Sequence, residues 1–136
     1  MARARWGAAT AAGVAVFILC GCGASITSDQ VQQTRDTLLS DARESVLLAE
    51  AVAAGSMIGS SASTHAQLLA DDVKMEADTL SQGTPPADQR DRVRRLLADS
   101  GAVGSALDRL EQSSDPTAAA ALRVQLQRLG DDIARP

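Results

Sequence analysis

Residues 88–112, DQRDRVRRLLADSGAVGSALDRLEQ, decide the fold. Within them Val93, Leu96, Ser100, Val103, Leu107 and Leu110 recur at alternating steps of three and four, a heptad-like seam lining one side of a helix. Asp88 to Arg92 and Asp91 to Arg95 are spaced i,i+4, the interval at which opposite charges meet on an outer helical face. Gly101 and Gly104 each cost about 1 kcal/mol against Ala in a helix. The seam stays in phase across them, so the spacing predicts one helix, bent rather than divided.

Toward the N-terminus, Ser81-Gln82-Gly83-Thr84-Pro85-Pro86 ends one helix and begins the next, because Gly suits a helix C-terminus and Pro its first turn. The preceding helix is expected over residues 63–80, with Ala62, Leu69, Val73 and Leu80 inward and Leu68 and Met75 at the margin. Residues 55–63 are small and predict a turn that merges into this helix. Their Gly55-x-x-x-Gly59 spacing fits a turn or a close helix crossing; the flanks are too polar for a dimerising membrane helix. Earlier still, Thr27 and Gln30 have capping-box spacing, and Val31, Leu38, Ala42, Val46, Ala49 and Ala53 mark the inward stripe of a first helix ending near Ala54. On the other side, Asp115 is the expected N-cap and Pro116 the first residue of a last helix. That helix carries Ala118, Leu122, Leu126, Leu129 and Ile133 inward, with Gly130 fraying its end. No run alternates as a strand would. The expected architecture is all-α, a small antiparallel four-helix bundle after an N-terminal signal helix. A three-helix bundle with a broken first or third segment is the alternative.

The N-terminal residues follow a different pattern. Arg3 and Arg5 precede an apolar run over residues 7–19 that ends in small residues and cysteine, the three-part layout of an export signal. The run falls short of the roughly 20 apolar residues that cross a bilayer. Its end, Leu19-Cys20-Gly21-Cys22, resembles the lipobox of bacterial lipoproteins. The resemblance covers residues 1–22 only. It implies that the Cys22 thiol receives a diacylglycerol group, that the chain is cut between Gly21 and Cys22, and that the freed amine is open to a further acyl group. Cys20 stands where Ala, Ser, Thr or Val is more usual, but it is small enough for the position. Lipidation of Cys20 instead would put bulky Leu19 at the cleavage point. An ordinary secretory signal with incidental cysteines is the alternative. The implied organisation is a signal peptide over residues 1–21, a lipidated Cys22 with a short polar tether to residue 28, and a bundle over residues 29–136. Fully extended, the tether reaches about 20 Å, close to the outer face of a cell membrane.

The formal net charge of the 136-residue chain is −4, and loss of Arg3 and Arg5 with the signal makes it more acidic. Nucleic acid, whose phosphates need a basic face, is not an expected partner. Adhesion to anionic lipid heads is likewise disfavoured, which leaves membrane affinity to the acyl chains on Cys22. Trp6 and Phe17 are the only aromatic residues, and both lie in the signal. The remainder therefore lacks base-stacking platforms and the Trp and Tyr anchors common at interface hot spots. Both cysteines sit at the processing site, so no disulfide is expected within the mature domain.

Candidate chemistry is sparse. His65, the single histidine, shares one side of the second helix with Asp72 and Glu76, with Asp71 nearby. These form a weak metal candidate of one nitrogen and two or three oxygens, without the close carboxylate–histidine pairing of metal-binding bundles. The surroundings of His65, Thr64-His65-Ala66-Gln67-Leu68, lack the lysine and glycine of phosphotransfer bundles. There is no nucleophile elbow and no phosphate-cradling glycine loop, and Lys74 has no Ser-x-x-Lys arrangement before it. Neighbouring acids such as Asp71-Asp72 and Asp131-Asp132 point about 100° apart on a helix. Arg90, Arg92, Arg94 and Arg95 form the densest basic cluster, able in principle to meet phosphate-bearing polymer or lipid heads. Interleaved Asp88, Asp91 and Asp99 make an ion-paired helix surface the simpler expectation. No catalytic residues and no cofactor are expected. The functional expectation is a lipid-anchored, non-enzymatic lipoprotein with an interaction or envelope-structural role, engaging a protein partner or a second copy of itself. The alternative is a carrier or sensor holding an apolar ligand such as an acyl chain inside a bundle built from small and flexible residues, Met57 and Met75 among them.

Overall fold

The computed structural model describes residues 24–113 and 115–136. The signal run and the lipobox, including Gly21 and Cys22, lie outside the described residues. The described chain forms four helices: α1 (Ser28–Ala53), α2 (Gly59–Gln82), α3 (Arg90–Gln112) and α4 (Pro116–Ala134), with one 3-10 turn (Ala87–Gln89) before α3. Short connections make each helix antiparallel to the one before. The most extensive packing is of α1 on α4 and α2 on α3; α1–α2 and α3–α4 contacts close the ring, and α1 touches α3 across the diagonal. This is the expected four-helix bundle.

The local signals that begin α1 and α4 act as their chemistry dictates. Gln30 donates its backbone N–H to Thr27 Oγ1 at 3.2 Å, and Thr27 N–H donates to Gln30 Oε1 at 2.7 Å. Asp115 accepts from the backbone of Thr117 and Ala118 at 3.3 and 3.1 Å, ahead of Pro116. Between α1 and α2, Gly55 turns the chain at φ +67°, a conformation that favours glycine. The small residues from Gly59 onward are already helical, so α2 begins four residues before the expected Ser63.

The core is aliphatic. Leu38, Leu80, Leu107, Leu110 and Leu126 are almost wholly inaccessible, with Val31, Val73 and Val103 between them. Buried Ser45 and Ser100 donate to the carbonyls of Asp41 and Leu96, at 2.7 and 2.6 Å, one turn earlier on their own helices. Each hydroxyl is satisfied without a partner across the bundle. The seam on α3 is buried as spaced. On α1 the buried face is wider than one stripe: Thr34, Ser45, Leu48 and Val52 are buried, while Val46 and Ala53 sit at its edge. The reason is that α1 packs on all three other helices. Leu68 and Met75 lie further out than the margin, 57% and 60% exposed.

Three other expectations are corrected. Gly130 does not fray α4; it is buried within a helix that runs to Ala134, and an added Cβ would stand 3.8 Å from Ala42 Cβ. The pairs Asp88–Arg92 and Asp91–Arg95 do not form. Asp88 lies in the 3-10 turn, out of α-helical register, and Asp91 meets Arg94 at 3.5 Å instead. Nor is the segment after Gly23 a free tether. Thr84 N–H donates to the Ala24 carbonyl at 3.0 Å and Ile26 N–H to the Thr84 carbonyl at 3.1 Å, so Ser25 bridges Thr84 in parallel. Ile26 is apolar and packs against the edge of the core, which draws this segment onto the α2–α3 connection.

Gly83 makes that docking possible: a Cβ there would clash with Ile26 Cγ2 and lie 3.3 Å from the Ala24 carbonyl oxygen. Gly83→Ala is expected to lower unfolding stability by about 1–3 kcal/mol, with much of the loss relieved when Ile26→Ala is combined with it. Gly101 and Gly104 face open space, so Gly101→Ala and Gly104→Ala should each raise stability by up to about 1 kcal/mol. Urea midpoints of the single and double variants measure all of these.

Candidate functional site

The structure separates the residues of the metal candidate. His65 and Asp72 lie seven positions apart, about 10 Å along a helix, and His65 instead turns to α1, where Nε2 stands 3.6 Å from Glu44 Oε1. Asp72 and Glu76 are near Asp41, an α1 residue that the sequence did not single out. Burial, reinforced by the charges of Asp72, Glu76 and Glu44, pushes the Asp41 carboxyl up to about 6. Its Oδ2 is inaccessible and accepts no hydrogen bond. Among the described residues no group of three or more His, Cys, Asp or Glu side chains is placed to hold a metal ion. One signal for Asp41 was present: it immediately precedes Ala42 of the inward stripe, where a carboxylate borders the core.

The arginine cluster on α3 is divided by helical geometry. Arg90 and Arg94 project into solvent, Arg94 beside Asp91. Arg92 and Arg95, three residues apart and hence on a common face, line a cleft of about 460 Å³ with Arg35, Arg135, Asp99 and Asp132. Arg35 reaches across from α1 to the end of α4. Its Nε donates to the Ile133 carbonyl at 2.8 Å and its Nη2 to the Ala134 carbonyl. A cation there satisfies carbonyls that a helix end leaves without partners. Arg92 Nη2 donates to Gln32 Oε1 at 2.9 Å, while its Nε is inaccessible and has no acceptor. Arg135 pairs with Asp132 at 2.9 Å. Burial and the Asp132 charge raise the Asp99 carboxyl above the usual aspartate range, against the opposing pull of Arg95. Arg35 and Arg135 carried no sequence signal, because their neighbours in the cleft are distant in the chain.

Two partly apolar grooves flank α1. One groove of about 470 Å³ runs between α1 and α4 past Leu39, Val46 and Leu47, and another of about 480 Å³ runs between α1 and α2 past Leu47, Met57 and Leu69. Leu47, 65% exposed, is the ridge between them. Both are open to solvent; Leu126 borders the first, and neither reaches Leu38, Leu80, Leu107 or Leu110.

The raised Asp41 carboxyl has a stability consequence. The folded state holds its proton to higher pH than the unfolded chain, so the stabilisation is complete at acid pH below the ordinary aspartate range and is lost as pH rises through about 6. Asp41→Asn removes the charge that neutral pH imposes. Allowing for solvent screening, the variant should be more stable than the parent by about 1 kcal/mol at pH 7. The gap should close as the pH of the urea titration is lowered below about 5.

No family model, no curated protein and no solved structure matches this chain.

Proposed function

We propose that this protein is a lipid-anchored bacterial lipoprotein whose helical bundle stands on the outer face of the cell membrane and serves a non-enzymatic interaction or envelope-structural role. The observation that carries the reading is Leu19-Cys20-Gly21-Cys22 at the end of an apolar run headed by Arg3 and Arg5. No helix among the described residues is long and apolar enough to cross a membrane. On this reading the acyl chains of Cys22 supply the membrane affinity.

The docked N-terminal segment supports a membrane-proximal domain. Because Ala24 is already hydrogen-bonded to Thr84, only about 7 Å of extended chain separates it from Cys22. The surface available to a partner includes Leu47 and its two flanking grooves. A carrier role has weaker support, because both grooves are open to solvent and of the central leucines only Leu126 borders one of them.

Intact mass of the full-length gene product purified from bacterial membranes tests the anchor. The expected mass is that of residues 22–136 plus acyl groups, and Cys22→Ser should leave the chain unacylated with its signal uncut. An unmodified chain cut elsewhere, or a Cys22→Ser product with the parent's acylated mass, overturns the reading. The same preparation, taken gently into the gas phase, should carry no additional lipid; one retained there but lost on denaturation favours the carrier.

A further inference from the structure

We infer that the cleft formed by Arg35, Arg92, Arg95 and Arg135 binds a phosphate group. Its guanidinium groups come from α1, from the first two turns of α3 and from the residue that follows α4. They converge in a chain whose overall charge is negative. Asp99, Asp132 and Pro136 also line the cleft, and the Arg95 charge acts on Asp99; two aspartates face four arginines. Asp132 is engaged by Arg135 at 2.9 Å. Arg35 lies beside Asp36 at 3.5 Å and directs its hydrogen bonds to the uncharged carbonyls of Ile133 and Ala134. Arg92 bonds to the uncharged amide of Gln32. Neither Arg92 nor Arg95 is within ion-pair distance of a carboxylate among the described residues.

Like charges gathered at the edge of a core repel one another, and a buried donor without an acceptor costs free energy. Arg92 Nε is such a donor. An anion in the cleft would relieve the repulsion, and it would reach Arg92 Nε only if the guanidinium turned outward from its contact with Gln32. Phosphate fits better than a single-charge halide because a guanidinium presents paired N–H groups whose spacing matches two oxygens of one phosphate. A space of about 460 Å³ also admits a small substituent such as glycerol beside the phosphate. Arg35 is partly committed to the end of α4, so Arg92 and Arg95 are the principal ligands.

The inference stands on the cleft alone and does not require the lipid anchor. The anchor bears on which phosphate is met, because the cleft opens at the bundle end where α1 and α3 begin and α4 finishes. Ala24 and Ile26 are docked at that same end. A chain lipidated at Cys22 would thus present the cleft to the phosphodiester of a membrane headgroup; a chain without lipid would present it to free phosphate or a soluble phosphomonoester.

Full-length protein in an uncharged detergent, titrated at low salt with inorganic phosphate and separately with dihexanoylphosphatidylglycerol, tests the inference through the Nε–Hε NMR signals of its arginines. Saturable shifts of Arg92 and Arg95 are expected with one ligand or both. The double variant Arg92→Gln/Arg95→Gln should weaken binding about tenfold or more, whereas Arg90→Gln/Arg94→Gln, with the same change in net charge, should alter it less than about twofold. Tighter binding of the lipid assigns the site to membrane headgroups, and tighter binding of inorganic phosphate assigns it to soluble phosphate. The absence of saturable shifts in the parent protein up to about 20 mM of either ligand, or equal weakening by the two double variants, overturns the inference. The mass of the Cys22 product reports separately on the anchor, so either conclusion can fail without the other.

Discussion

Residues 24–136 contain no aromatic side chain, and that absence constrains everything the bundle does. An aromatic ring buries a large area at one position; here the same area must come from many Leu, Val and Ala contacts along long helices. Small residues let the helices approach closely. Ala42 and Ala49 of α1 and Ala119 and Gly130 of α4 are all buried, in the helix pair with the most extensive packing. The buried hydroxyls of Ser45 and Ser100 turn back onto their own helices, so they do not fix the register of one helix against another. Specific polar links between helices fall to the periphery, among them Arg35 on the carbonyls ending α4, Arg92 on Gln32 and Arg109 on Gln125.

This division explains what could be read from the chain in advance. Signals whose partners lie within a turn were legible: the Thr27–Gln30 capping box, Asp115 before Pro116, and the seam from Val93 to Leu110. Features set by distant neighbours were not. The burial of Gly130 depends on Ala42, and the docking of Ile26 depends on the missing side chain of Gly83. The failed Asp88–Arg92 pair shows the limit of counting residues, since spacing predicts contact only when both residues lie in the same regular helix. The metal candidate shows a related limit: His65 and Asp72 share one face of α2, but two turns separate them, and His65 turns toward Glu44 of α1.

The basic residues of α3 illustrate why average charge is a poor guide to a local field. In linear order Asp88, Asp91 and Asp99 are interleaved with the arginines and should cancel them. Folding sorts the same residues by direction: Arg90 and Arg94 lie outside the cleft, while Arg92, the exposed Arg95 and Asp99 line it. Arg35 and Arg135 then join from elsewhere. Electrostatic potential follows this spatial arrangement rather than the running sum along the chain. An acidic protein can thus gather several of its arginines at one place.

The parallel bridge between Ser25 and Thr84 also has a mechanical meaning. A pull applied to the chain ahead of Ala24 would not act directly on the first turn of α1; it would first load the paired Ala24–Thr84 and Ile26–Thr84 hydrogen bonds. Two bonds engaged together share a shearing load, and the wedge of Ile26 beside Gly83 resists withdrawal of the segment. Force arriving at the N-terminal end would therefore divide between α1 and the α2–α3 connection, protecting the helix cap from being unwound one residue at a time.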